Sequence, residues 1–161
     1  MPRAAIDSFV VTVRDMAAWA LVTPAAHIPV GALQDADGNV ESVVGSQVVP
    51  TRFTPDSVLA TLRRALGIGA RTQRSAAIGL AYFREQLLPG DSTPRQLLVV
   101  EVEHRTGYRA TLLFPYTFTG ESPEFGEPLQ RPGALQELTG GAQKKGGATR
   151  RQPRPPHDPE R

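Results

Sequence analysis

Apolar residues at three- and four-residue spacing open the chain. Ile6, Phe9, Val10, Val13, Met16, Ala17, Ala20 and Leu21 form one stripe, which predicts an amphipathic helix over 6–22, stopped by Thr23-Pro24. The start of that segment, Phe9-Val-Val-Thr-Val13, is β-branched enough to favour a strand as the alternative. Residues 27–34 and 39–49 read as two short strands around the turn Asp35-Ala-Asp-Gly-Asn39. A second helix follows: Thr54 as N-cap, Pro55 at the first helical position, Asp56 at the positive end of the dipole. Its apolar stripe is Val58, Leu59, Leu62, Ala65 and Leu66, and Gly67 is placed to end it. In residues 75–84 both alternating rows are apolar, as in a central strand covered on both faces.

The hairpin around His104-Arg-Thr-Gly107 admits two registers. A two-residue turn at Thr106-Gly107 sets Glu101 opposite Leu112 and mixes polar with apolar on one face. A three-residue turn with Gly107 in the left-handed region sets His104 opposite Tyr108. Leu98, Val100 and Val102 then share a face with Tyr108, Ala110, Leu112 and Phe114, while Glu103 faces Arg109 and Glu101 faces Thr111. The second register separates a core face from a mostly solvated one, and is the one expected.

Beyond Tyr116 the pattern dissolves among Pro123, Pro128 and Pro132, and from Gly140 the chain is Gly-, Lys-, Arg- and Pro-rich. The expected organisation is a compact domain over 1–120, a Pro-rich irregular extension over 121–138 and a disordered basic tail over 139–161. The fold class expected is α+β: an antiparallel sheet, made of a C-terminal three-strand meander plus an N-terminal hairpin, with both helices packed on one face.

Composition narrows the functional classes. The 161 residues contain no cysteine, which excludes disulfides, thiolate metal sites and a Cys nucleophile, and makes a cytoplasmic location the plain expectation. No secretory h-region precedes Asp7, and the apolar stretch near Met16–Val22 is too short to span a membrane. The net charge is +2, unevenly placed. Residues 139–161 hold six cations against Asp158 and Glu160, so the rest of the chain is −2. Asp15 to Thr51 contains four acids and no cation, whereas Arg52 to Arg84 contains six arginines (Arg52, Arg63, Arg64, Arg71, Arg74, Arg84) and one acid, Asp56.

Motifs of catalysis are missing. There is no Walker loop, Gly-x-Ser-x-Gly elbow or HExxH, and Gly67-Ile-Gly69-Ala70 follows a helix where a dinucleotide fingerprint follows a strand. Asp35-Ala-Asp-Gly-Asn-Val-Glu41 lacks the ligand spacing of a calcium loop, so a hairpin turn accounts for it, and the three histidines have no metal-ligand spacing. No cofactor is implied. Glu101 and Glu103 share a strand face, where they read as solvated charges with Glu103 pairing across to Arg109, the other use being an acid/base pair.

Two functional readings remain. In the favoured one the chain is a non-catalytic interaction or adaptor domain. It binds an acidic protein, or weakly a nucleic acid, through Arg63, Arg64, Arg71 and Arg74, assisted by Lys144, Lys145, Arg150 and Arg151 of the tail. In the alternative it is a small-molecule-binding or catalytic domain with a pocket near Tyr82, His104, Tyr108 and Tyr116.

Overall fold

The computed structural model describes residues 3–21, 29–44 and 55–138. The two expected helices are present as α1 (Arg3–Leu21) and α2 (Pro55–Thr72). The strands are β1 (Val30–Gln34), β2 (Val40–Val44), β3 (Ala77–Gln86), β4 (Arg95–His104), β5 (Arg109–Thr119), β6 (Ser122–Phe125) and β7 (Leu129–Pro132). They form one antiparallel seven-stranded sheet in the order β2-β1-β3-β4-β5-β6, with β7 also on β5. No described helix is long and apolar enough to cross a membrane. The expected N-cap Thr54, the stop at Thr23-Pro24, Arg52 and the tail lie outside the described residues.

The β4–β5 hairpin has the expected register, Glu103 opposite Arg109 and Val100 opposite Leu112. Its turn closes with Gly107 N–H on the His104 carbonyl at 2.9 Å, and Gly107 takes a φ of +96° that an L side chain rarely adopts. The α+β class and the antiparallel sheet stand, but the two helices do not share a face. Phe9, Val10, Val13 and Ala17 of α1 pack with Ala77, Ala81, Leu98, Val100, Val102 and Phe114. Leu62, Leu66 and Ala70 of α2 pack with Ile78, Leu80, Leu97, Val99 and Leu113, the alternate residues of the same strands. Both rows of β3 are apolar and both rows of β4 are buried, so each face needs its own cover, and one helix supplies each.

Glycine lets each helix approach closely. A Cβ on Gly79 would come within 2.8 Å of Val13 Cγ2 under α1, and one on Gly31 within 2.9 Å of Leu66 Cδ2 under α2. Gly67 does not end α2 as expected; the helix runs on to Thr72. Gly67 and Gly69 are instead packing positions, against the side chains of Glu137 and Leu33. The helix ends where Arg74 takes a positive φ of 51° and Ser75 N–H reaches back to the Ala70 carbonyl at 3.1 Å, the wide bond of a Schellman end.

The segment 121–138, expected as an irregular extension, is ordered as strand and strap. β5 is 11 residues long and carries two short partners end to end on its outer edge: β7 against Ala110–Leu113 and β6 against Tyr116–Thr119. Pro123 and Pro132 sit in these edge strands, where a missing N–H disrupts no further pairing. The chain then crosses the α2 side, where Leu135 is buried and Leu138 packs on the same cluster as Leu97 and Leu113. Gly133 is required at the start of this strap, since a Cβ there would lie 2.7 Å from the Ala110 nitrogen.

Candidate functional site

The arginines that the sequence grouped together separate into two sets. Arg63 lies on the flank of α2 nearest the sheet, where its Nη2 donates to both carboxylate oxygens of Glu101 at 2.9 and 2.8 Å. Tyr82 donates its hydroxyl to the same carboxylate at 3.2 Å. The guanidiniums of Arg63 and Arg84 lie 6.0 and 5.8 Å from the Tyr82 ring centroid, within cation–π range. Burial alone would lower the Arg63 pKa, but its hydrogen bond to Glu101 and that carboxylate's charge outweigh it and raise it. Burial raises the Tyr82 phenol, and the Glu101 charge adds to it against the pull of Arg84 and Arg63. Arg63 is therefore committed to the fold.

Arg64, Arg71 and Arg74 are exposed. Arg64, Ile68 and Arg71 follow i, i+4, i+7 spacing, so they line one outward ridge, with Ile68 half-exposed at 51% between the two cations. Arg74 follows just past the helix end. Among the described residues no ion pair engages these three. Arg105 adds a further cation nearby, its Nε and Nη2 donating to the Ser75 carbonyl at 3.0 and 2.7 Å. The strap meets the same helix: the Glu137 side chain lies against Gly67, between Arg64 and Arg71 in sequence. Lys144, Lys145, Arg150 and Arg151 are outside the described residues, whose last member is Leu138 beside this helix.

Glu101 and Glu103 do not form a solvated face. They are 3% and 0% exposed on the α2 side of the sheet. Glu103 accepts the backbone N–H groups of Glu137 and Leu138 at 2.6 and 3.1 Å, tying the strap down 34 residues further along the chain. Alternation alone made these residues polar and hence exposed. A signal to the contrary was the place of Glu101 within, and of Glu103 just after, the otherwise apolar Leu97–Val102 run of a central strand.

The four residues of the expected pocket do not meet. Tyr82 packs in the α2 cluster, whereas Tyr108 and Tyr116 pack in the α1 cluster. Tyr116 lines an open cavity of about 650 Å³ with Arg95, Gln96 and Glu124, and Tyr108 lines a different one of about 290 Å³ beside α1. Burial raises the Tyr116 phenol. His104, 5% exposed at the base of the hairpin, holds Thr106: its Nδ1 accepts the Thr106 N–H at 3.1 Å and lies 2.8 Å from Thr106 Oγ1. An Nδ1 that accepts leaves the ring proton on Nε2, which is buried and has no partner among the described residues. Burial, with neighbouring positive charge that includes Arg105, holds this imidazole below its ordinary pKa.

The Asp35 loop is a self-contained turn. Asp35 Oδ1 accepts the N–H groups of Asp37 and Asn39, both at 2.9 Å, and Oδ2 accepts Asn39 Nδ2 at 3.0 Å. The Asn39 side-chain bond is the main reason the Asp35 pKa is lowered. No group of His, Cys, Asp and Glu among the described residues is arranged to hold a metal ion. Comparison with family models, with curated proteins and with solved structures returns no match.

Proposed function

We propose that the chain is a non-catalytic interaction module of the cytoplasm that grips an acidic protein segment along the Arg64–Ile68–Arg71–Arg74 ridge, with the basic tail reinforcing the contact. One observation carries this reading: three exposed arginines, two on one ridge of α2 and one just past its end, make no ion pair among the described residues and flank an exposed aliphatic side chain. Cations in the last helical turn are favoured by the dipole whatever the function. Arg64 stands eight residues before Thr72, beyond the reach of that effect, so helix-end electrostatics leave it unexplained. Exposed Ile68 favours a protein over a nucleic acid, since an aliphatic patch gains nothing from a phosphate backbone and is common at protein interfaces. Arg with a central apolar anchor, rimmed by polar residues, is the composition from which binding hot spots are built.

The test is binding of a fluorescent acidic peptide (Glu/Asp-rich, with one Leu) and of a single-stranded oligonucleotide to the full chain and to Arg64→Glu/Arg71→Glu. Both substitutions sit on exposed positions and leave the core untouched. The reading expects peptide binding at low salt that weakens at least tenfold in the variant and falls steeply with ionic strength. Tighter binding of the oligonucleotide with the same arginine dependence moves the partner to nucleic acid. Absence of binding to both at low salt, or binding indifferent to the charge reversal, removes the proposal.

A further inference from the structure

On the opposite side of the sheet from the arginine ridge, α1 lies over β1, β3 and β4, and its flank meets β5, whose Ala110 and Phe114 are buried while Tyr108 and Leu112 are only partly so. One flank of α1, residues 3, 7, 10, 11 and 14, forms the wall of a groove of about 290 Å³ whose floor is β5 and whose far wall is the start of β7. The eleven helical steps from Arg3 to Arg14 make that wall about 16 Å long. Its middle is apolar, formed by Val10, Val11, Leu112, Phe114 and Pro128. Val11 is 43% exposed, so the apolar surface is open to a ligand.

The charge along the groove is not symmetric. At one end Arg3 and Asp7 stand one turn apart with opposite signs. At the other end is Arg14, its guanidinium 5.7 Å from the Phe114 ring centroid and 5.3 Å from that of Phe125. Two aromatic faces fix it there. Its only recorded ion pair among the described residues is with Asp15 at 3.1 Å, an acid 62% exposed. An exposed pair of this kind is weak, worth about 0–1 kcal/mol, and its Nε and Nη2 share a single oxygen, leaving Nη1 free for an incoming anion.

We propose that this groove binds an amphiphilic carboxylate, the alkyl chain lying along Val10, Val11 and Leu112 and the carboxylate on Arg14. The groove suits a small amphiphile: at about 30 Å³ per heavy group, the share of one water molecule in the liquid, 290 Å³ corresponds to on the order of ten heavy atoms. An eight-carbon acid has that size. An alkylammonium places like charge against Arg14.

The probes are octanoate, octanol and octylammonium, titrated into the isotope-labelled full chain and followed by amide and side-chain shifts. Octanoate is expected to saturate one site, in the millimolar to high-micromolar range usual for a ligand of ten heavy atoms, with the largest shifts at Val11, Tyr108 and Leu112. Arg14→Gln is expected to weaken octanoate about five- to tenfold and to leave octanol nearly unchanged, because only the charged hydrogen bond is lost. Val11→Trp, at an exposed position, fills the groove and abolishes binding of both. Octanoate, octanol and octylammonium binding alike, indifference of octanoate to Arg14→Gln, or shifts confined to another surface each overturn the proposal.

Discussion

The two faces of the central sheet are built from the same strands by different means. Under α1 the interior is apolar apart from His104 at its rim, with Phe9, Val13, Ala17, Val100 and Val102 almost wholly buried. Under α2 the core is as tightly closed, yet it contains two carboxylates, Glu101 and Glu103, each satisfied by a group far away in sequence. Apolar packing is non-directional and tolerates several arrangements of a helix on a sheet. A buried carboxylate tolerates only the arrangement that brings its donors, since an unpaired one costs several kcal/mol. We infer that the α2 side gains its unique docking of helix and strap from Glu101 and Glu103, and the α1 side from shape alone.

The sharpest way to break this contrast is to make the α2 side resemble the α1 side. Arg63→Leu strands Glu101 with only the Tyr82 hydroxyl. Because Arg63 is 38% exposed and water can reach the site, the loss is expected at about 2–3 kcal/mol, below the figure for a fully buried pair. Adding Glu101→Leu and Tyr82→Phe removes every stranded polar group, and stability is expected to return to within about 1 kcal/mol of the parent. Urea unfolding of the parent, single and triple variants measures this. A triple variant no more stable than the single would mean that Glu101 is not the group whose isolation is costly.

A smaller effect sharpens the comparison from the other side. His104 falls by alternation on the α1 side, at its rim, as an ionisable side chain among apolar ones. Its folded-state pKa is depressed, so the unfolded chain takes up the proton first as pH falls. The stability tied to neutral His104 is present above its unfolded pKa of about 6.5 and declines as pH falls from there to the folded value. Protonation of Nδ1 would also set it against the Thr106 N–H it now accepts. Thermal unfolding between pH 7.5 and 5 is expected to show a downward step for the parent that is reduced in His104→Gln; equal slopes would exclude the histidine as its source.

Much of the fold was legible because local signals agreed. Both helices, the positions of β1 to β5, the three-residue turn at Arg105–Gly107 and the double-sided burial of β3 follow from spacing, and the structure has them. What was not legible depends on pairing across long separations. The period of two shows that β3 has two apolar rows, but not which helix takes which row, and it marked the second face of β4 as solvated. The burial of Glu101 depends on Arg63, 38 residues away, and that of Glu103 on a strap 34 residues away that composition marked as irregular. Of the candidate site residues, the arginine-rich stretch was visible as a charge pattern. That Arg63 is consumed internally while Arg64 and Arg71 face outward follows from the 100° between successive residues, once the buried stripe through Leu62 and Leu66 is fixed.

The smallest expected effect lies at the end of α2, where stability and the proposed binding pull apart. Arg74 occupies the left-handed position after the helix that glycine fills most easily, at φ 51°. A β-carbon there costs about 1 kcal/mol, and Arg74→Gly relieves it at no loss of core contact, because the side chain is exposed. If the residue serves only the fold, the glycine variant should be more stable by about 0.5–1 kcal/mol and otherwise the same. If it belongs to the ridge, the gain in stability should come with a two- to fivefold weaker grip on the acidic peptide, as expected for one rim charge of about 0.5–1 kcal/mol. Denaturant unfolding and peptide binding on the same preparation separate the two. A more stable variant with unchanged affinity would confine the interface to Arg64, Ile68 and Arg71 and leave the strain at Arg74 without a function in binding.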